Sequence, residues 1–292
     1  MSNSSPRLAP IGLSTYARLN HLRQTIDSLR SNHLAQESSL FVFSDAAAPG
    51  DEAKVQAVRE YLATVDGFKR VEVIARVKNG RVENNRGGMR QLLEEFGQII
   101  FLEEDIVTAP GFLGFMNEAL NFYRDHPNVL SITGYAPPLE WRSDSDAFAL
   151  ARFCAWGFGI TKENFEKISA IPADAVESLG RPKLVRCGRD IANMVRLQAE
   201  GRLAALDVMA MYRQCCDGSL TIYPRRSLVQ NIGHDGSGVH GATSNRFHHQ
   251  QLWDKPGDFR FDAEPSELET NLSKMRAFRD TRPWWKQMIR RY

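Results

Sequence analysis

The chain has 292 residues, of which 42% are hydrophobic and 25% charged, which excludes collagen-like, coiled-coil and largely disordered classes. Its 37 basic and 35 acidic side chains leave a formal net charge of +2, against a dedicated duplex nucleic-acid binder, so no nucleic-acid partner is expected. The basic set is 28 Arg against 9 Lys, a bias that either anion clamps or genomic base composition produces.

In chain order, residues 8–15 read as a first strand and about 18–31 as an amphipathic helix, with Leu19, Leu22, Ile26 and Leu29 at helical spacing. SLFVFSD (39–45) is a buried-type strand, 51–63 a second helix, VEVIARV (71–77) a third strand and 86–96 a third helix. QIIFLEED (98–105) is a fourth strand ending in three carboxylates, followed by a helix start near Thr108 and Pro110. Strands alternating with helices over short loops predict an α/β fold with a mostly parallel, doubly wound sheet. Ligands then bind beyond the carboxyl ends of the strands, which points to Thr15 to Arg18, Ser44 and Asp45, Asn79 to Arg86, and Glu103 to Asp105.

After Gly134 the pattern changes. Residues 136–147 read as a Pro-rich loop, 148–160 as apolar residues with small spacers, and 162–171, 188–200 and 205–216 as helices. LTIYPRRSLVQNIG (220–233) reads as a strand pair interrupted by Pro224, followed by the Gly- and His-containing loop 233–241. From about 245 onward the chain reads as irregular, ending in RPWWKQMIRRY. No internal repeat or clear linker divides it, so a single domain with a C-terminal appendage is expected. No apolar run reaches the ~18 residues that cross a bilayer. The opening MSNSSPRLAP has no hydrophobic signal region, so a cytoplasmic chain with reduced Cys154, Cys187, Cys215 and Cys216 is expected.

Glu103-Glu104-Asp105 is the sharpest chemical feature. Three adjacent carboxylates at a strand's mouth repel one another, and a hard divalent cation such as Mg2+ or Mn2+ relieves the repulsion. A solvated acidic turn is the other reading.

With these residues in view, the chain resembles the GT-A nucleotide-sugar glycosyltransferases. It is family 2-like, and is most similar to the inverting group that includes N-acetylglucosaminyltransferase I and its bacterial relatives. FLEEDIVTAPGFLGFMNEAL (101–120) is similar to that group's DXD-like acidic motif and the apolar helix after it. The opening 9–29 resembles the first strand and nucleotide-binding turn, and FSDAA (43–47) the end of the second strand. Residues 151–168 resemble the Gly- and Trp-containing acceptor loop, and 227–241 a C-terminal signature of bacterial members. The likeness implies a GT-A domain over 1–241, with a nucleotide-binding half at about 8–135, an acceptor half at about 136–241, and an appendage at 242–292.

The resemblance also implies roles. Asp105 would coordinate Mn2+ or Mg2+, and Glu104, where Asp is more usual, would contact ribose or metal-bound water. Thr15, Tyr16, Arg18, Arg86 and Glu103 would face the nucleotide, and Asp45 would accept a hydrogen bond from the uracil imide. Arg81 and Arg90 are further guanidinium groups near the strand ends, suited to a diphosphate. The acceptor hydroxyl needs a general base, for which Asp207, Asp144 and Asp146 compete. Asp207 is favoured, although a helix N-cap fits it equally. His234 and His240 flank a Gly-rich loop where the resemblance places a histidine near the metal, and backbone satisfaction is the alternative for each. Trp156, followed by Gly157, reads as an acceptor-binding platform.

The expected activity is metal-dependent inverting transfer of a hexosyl or N-acetylhexosaminyl group from a nucleotide-sugar, UDP-linked by resemblance. The acceptor would be a glycan or lipid-linked glycan, as in polysaccharide biosynthesis. RPWWKQMIRRY (282–292) would suit either packing back onto the domain or peripheral membrane contact. The rivals are a sugar-nucleotide nucleotidyltransferase and a non-catalytic nucleotide- or glycan-binding protein.

Overall fold

The computed structural model of the protein describes residues 8–168, 170–186, 188–237 and 250–280. Its ten strands are β1 (Ile11–Thr15), β2 (Ser39–Ser44), β3 (Arg70–Ala75), β4 (Gln98–Glu103), β5 (Ile106–Thr108), β6 (Val129–Thr133), β7 (Ala147–Leu150), β8 (Phe158–Thr161), β9 (Leu220–Pro224) and β10 (Val229–Asn231). The helices are α1 (Leu19–Arg30), α2 (Glu52–Leu62), α3 (Arg81–Phe96), α4 (Phe112–Phe122), α5 (Lys162–Glu166), α6 (Ala175–Leu179), α7 (Arg181–Leu184), α8 (Asp190–Ala199), α9 (Leu206–Asp217) and α10 (Glu269–Arg279).

Eight strands form one sheet in the order β3-β2-β1-β4-β8-β6-β9-β7. Neighbouring β3, β2, β1 and β4 are parallel, β6 and β9 run in the same direction, and only β8 and β7 are reversed. The protein therefore has the expected α/β architecture, a mostly parallel sheet flanked by helices. β1 and most of β2 and β4 are buried, which is why they read as unbroken apolar runs. β3 is an edge strand and, unlike these, has no buried residue, with Arg70 paired to Glu72 along its face. Strand order reverses at β1, between β2 and β4, so the crevice beyond those carboxyl ends is the switch point of the sheet.

α3 begins at Arg81, five residues before the pattern suggests, because its first two turns carry polar residues with partners in the sheet. Asn84 Nδ2 donates to the Phe43 carbonyl at 2.9 Å, so its side chain does not compete with the helix backbone. A Cβ on Gly88 would lie 2.7 Å from the Phe43 ring, so this glycine lets α3 settle onto the sheet.

The segment 220–233 does not fold as a hairpin. β9 lies between β6 and β7, whereas β10 leaves the large sheet and pairs antiparallel with β5. Pro224 ends β9, where a missing N–H costs no ladder bond. The β5–β10 pairing brings the residues after Asn231 onto Asp105, whose carbonyl accepts the Ile232 N–H at 2.9 Å.

The helix expected over 162–171 is shorter, and the C-terminal segment is more ordered than its irregular sequence suggests. Phe259 packs edge-on against Phe115 at 5.1 Å, and α10 buries Leu272 and Met275, one helical turn apart, in the common core. Asn271 clasps both backbone groups of Arg142, at 3.0 and 2.8 Å. Among the described residues no helix is long and apolar enough to cross a membrane. Residues 282–292, the expected membrane-contacting segment, lie outside the described residues, as does Cys187.

Candidate functional site

β1 and β4 end side by side at Thr15 and Glu103, and the chain turns beyond β4 through Glu104 and Asp105 before entering β5. Glu104 is buried among donors. Its Oε2 accepts from Thr15 Oγ1 at 2.6 Å and from the Tyr16 N–H at 2.5 Å, and its Oε1 accepts from Arg18 Nε at 2.7 Å. Thr25 Oγ1, from α1, donates to the Glu104 carbonyl at 2.8 Å. Both carboxylate oxygens are thus engaged by the turn that follows β1.

Arg18 reaches past Glu104 and donates through Nη2 to Asp105 Oδ2 at 2.8 Å. Burial works against the guanidinium charge, but Asp105 and then Glu104 outweigh it and raise the Arg18 pKa above its ordinary value. The pair leaves two polar atoms over. Asp105 Oδ1 and Arg18 Nη1 are buried with no hydrogen-bond partner among the described residues. Such atoms are rare and costly in a folded interior, and mark a place where a ligand atom fits. Gly233 roofs the pair: a Cβ there would lie 2.1 Å from Asp105 Oδ2 and 3.0 Å from Arg18 Nη1.

Glu103 stands at the end of β4, held by Asn85 Nδ2 at 3.0 Å, while Ser14 Oγ donates to Asn85 Oδ1 at 2.5 Å. Burial, reinforced by the Asp105 charge, pushes the Glu103 carboxyl up to about 7, against the opposing pull of Arg81 and the Asn85 amide. Sequence reasoning reached Asn85 only as part of the stretch Asn79 to Arg86, and missed Ser14 and the covering role of Gly233. Two successive asparagines inside a helix were the one available signal, since that residue type is a poor helix former without a partner.

Asp45, 3% exposed, follows β2. Its Oδ1 accepts from the Ala46 N–H at 2.9 Å, and both oxygens lie 3.1 Å from the Gly80 N–H at the head of α3. Beside it Tyr16 is pinned by its hydroxyl, which donates to Asp51 Oδ2 at 2.8 Å and accepts from the Ala48 N–H at 3.0 Å.

Trp156 sits edge-on between Tyr135 (4.6 Å) and His234 (5.4 Å). The chain then turns at Gly157, whose φ of +60° and closeness to the Phe112 ring exclude a side chain. His234 directly follows Gly233, so Trp156 is joined to the Arg18–Asp105 pair through this short loop. Asp235 fastens the loop to α1, its Oδ2 lying 3.1 Å from His21 Nε2. His240 lies outside the described residues. Among the described residues no three His, Cys, Asp or Glu side chains converge as a ready-made metal shell. The residues fit a divalent cation at one point, Asp105 Oδ1, the remaining ligands then being water and ligand oxygens, as is usual for Mg2+.

The three base candidates stand in different places. Asp207 is the second residue of α9, two positions inside the Ala205 N-cap, and accepts the Val208 N–H at 3.0 Å. Arg86, next to Asn85 on α3, donates through Nη2 to Met209 Sδ at 3.0 Å, so its long side chain links the helix that holds Glu103 to the first turn of α9. Asp144 is exposed in the loop before β7. Asp146 is buried, four strands from β4, about 19 Å at ordinary strand spacing. Its Oδ2 accepts from Lys255 Nζ at 3.0 Å and from the Arg260 N–H at 2.9 Å. Burial alone would raise its pKa, but the Arg260 N–H and Lys255 reverse this and hold it below the usual carboxylate range.

No family model and no curated protein matches the chain. Among solved structures it is similar to the mannosyltransferase PcManGT from Pyrobaculum calidifontis in complex with GDP-Man and Mn2+. That likeness has 11% identity and a TM-score of 0.41, over 73% of this chain and 70% of that one. It is similar to S. aureus TarS 1-349 in complex with UDP at 12% identity and a TM-score of 0.41, over 74% and 60% of the two chains. A third likeness is to GalNAc-T7 with UDP, GalNAc and Mn2+, at 12% identity and a TM-score of 0.46, over 75% and 43%. The chain spans less than two thirds of the length of the last two.

Proposed function

We propose that the chain is a glycosyltransferase that moves a sugar from a nucleotide-sugar, UDP-linked by sequence resemblance, to a glycan or lipid-linked glycan with inversion. The observation that carries this reading is the unfilled acceptor and donor, Asp105 Oδ1 and Arg18 Nη1, side by side at the switch point of the sheet. A diphosphate with its counter-cation is the ligand that needs both.

In this reading the nucleoside lies over Tyr16 and Asp45, and Arg18 binds the diphosphate, with Arg86 beside it. Asp105 would hold the divalent cation, which when bound supplies Lewis-acid stabilisation of the departing diphosphate. Glu104 acts indirectly, fixing Thr15, the Tyr16 backbone and Arg18. Trp156 offers its ring to the apolar face of the acceptor sugar, and Asp207 takes the acceptor proton as the hydroxyl attacks the anomeric carbon. Asp207 is preferred because the Arg86 guanidinium links α3 to Met209 in the first turn of α9, whereas the Asp146 carboxylate is already committed to Lys255 and Arg260. The terminal Trp284, Trp285, Lys286, Arg290 and Arg291 suit an anionic lipid surface that presents a lipid-linked acceptor. A nucleotidyltransferase is disfavoured because LSTYARLN carries no glycine after Gly12 to wrap a triphosphate.

Donor hydrolysis measured across UDP-, GDP- and TDP-sugars with Mn2+ tests the reading. Turnover of one donor is expected, and Asp207→Asn retains donor binding while losing transfer. If none of the donors is bound or hydrolysed, the transferase reading fails; unimpaired turnover in Asp207→Asn moves the base to Asp144.

A further inference from the structure

Arg18 stands where the acidic turn most needs a cation. One guanidinium bonds Glu104 at 2.7 Å and Asp105 at 2.8 Å, so a single positive charge is already shared between the two carboxylates that a metal would seek. What it leaves open is asymmetric: one oxygen on Asp105 and one N–H on itself, both buried. A free divalent cation approaching Asp105 Oδ1 meets a full positive charge already bound to the other oxygen of the same carboxylate. An anionic oxygen at Arg18 Nη1 offsets that repulsion and gives the orphaned donor a partner. Gly233 makes retreat difficult, because its backbone closes directly over the pair.

We propose that Arg18 is a resident counter-ion that masks Asp105 from a divalent cation until a diphosphate is present, so that cation and diphosphate bind together and neither binds well alone. The inference rests on the nucleotide-sugar reading for the identity of the diphosphate, but the masking itself follows from the Arg18–Asp105 geometry. By linkage, whatever factor the diphosphate adds to cation affinity, the cation adds to diphosphate affinity.

Mn2+ binding, followed by the electron spin resonance signal of the free ion, separates these steps. It is measured alone, with inorganic pyrophosphate and with UDP, correcting for complexes formed without protein. The wild type should bind Mn2+ weakly alone and at least about tenfold more tightly with either diphosphate. Arg18→Ala and Arg18→Gln should bind Mn2+ alone about tenfold more tightly than the wild type, and the diphosphate should then add less than about twofold. Wild-type affinity for Mn2+ that is equal with and without diphosphate overturns the proposal, as does failure of both folded variants to gain affinity. Thermal melting establishes that they are folded; if neither is, the wild-type comparison decides alone. Coupling to pyrophosphate without any to UDP upholds the masking and sinks the nucleotide reading instead.

Discussion

Asp105 and Asp146 are both buried carboxylates paired with a cation on the same rim of one sheet, and they do opposite things with that pairing. Asp146 is tied at every level. Its carboxylate takes Lys255 and the Arg260 N–H, while its own N–H and carbonyl bond Arg260 and Arg225 at 2.9 and 2.8 Å. These contacts fasten the start of β7 to a segment more than a hundred residues along the chain, so the acid is a knot. Asp105 bonds Arg18 and then stops, with one oxygen unfilled beneath a glycine. An ion pair with a remainder has atoms to offer a ligand, and one without is a fastening.

Exchanging the two losses tests that contrast most severely. Asp146→Ala strips the partner from a buried Lys255 contact and should cost about 3 kcal/mol of stability in urea unfolding. The folded fraction should keep its affinity for UDP with Mn2+. Asp105→Ala should lose about a hundredfold in that affinity, ~2.7 kcal/mol, while unfolding nearly as the wild type does. Equal loss of nucleotide binding in both variants would erase the distinction.

Glu103 sharpens it from the other side, since it is an acid at the same mouth with no cation in hydrogen-bond contact among the described residues. Its folded-state pKa of about 7 exceeds the ordinary value of 4.5, so the folded chain holds a proton that the unfolded chain releases. The stabilisation is complete below pH 4.5 and is lost as pH rises through about 7, a swing of ~3 kcal/mol. Glu103→Gln keeps the oxygen that accepts from Asn85 and should flatten this part of the melting temperature against pH in metal-free buffer. An unchanged slope would mean that Glu103 is already ionised.

The smallest effect belongs to the roof. Gly233→Ala places a methyl group against Asp105 and Arg18, and should cost about 1 kcal/mol of stability and weaken binding of Mn2+ with UDP. Wild-type values for both would show that the loop stands clear of the pair.

Much of this was readable in the residues. β1, β2 and β4 announce themselves because burial demands continuous apolar runs, and the acids after Leu102 mark the end of β4 because charge cannot enter such a strand. The start of α3 was not readable: Asn84 and Asn85 look like helix breakers until Phe43, Ser14 and Glu103 supply their partners. β10 was legible as a strand but not as the partner of β5, because short strands carry no address for a partner over a hundred residues away. Trp156 was legible as an aromatic beside glycines, while its neighbours Tyr135 and His234 come from other elements.

The sequence by itself determined the strand–helix alternation, the mostly parallel sheet and the acidic turn at its mouth. These follow from hydrophobic periodicity and from the cost of burying charge, which act within a few residues. Only the tertiary structure decided which acid keeps an unfilled oxygen and which is fully tied, that Arg18 answers both Glu104 and Asp105, and that Gly233 covers them. Those outcomes depend on which donors from distant segments reach each carboxylate, and a hydrogen bond inside a protein is decided over a fraction of an ångström.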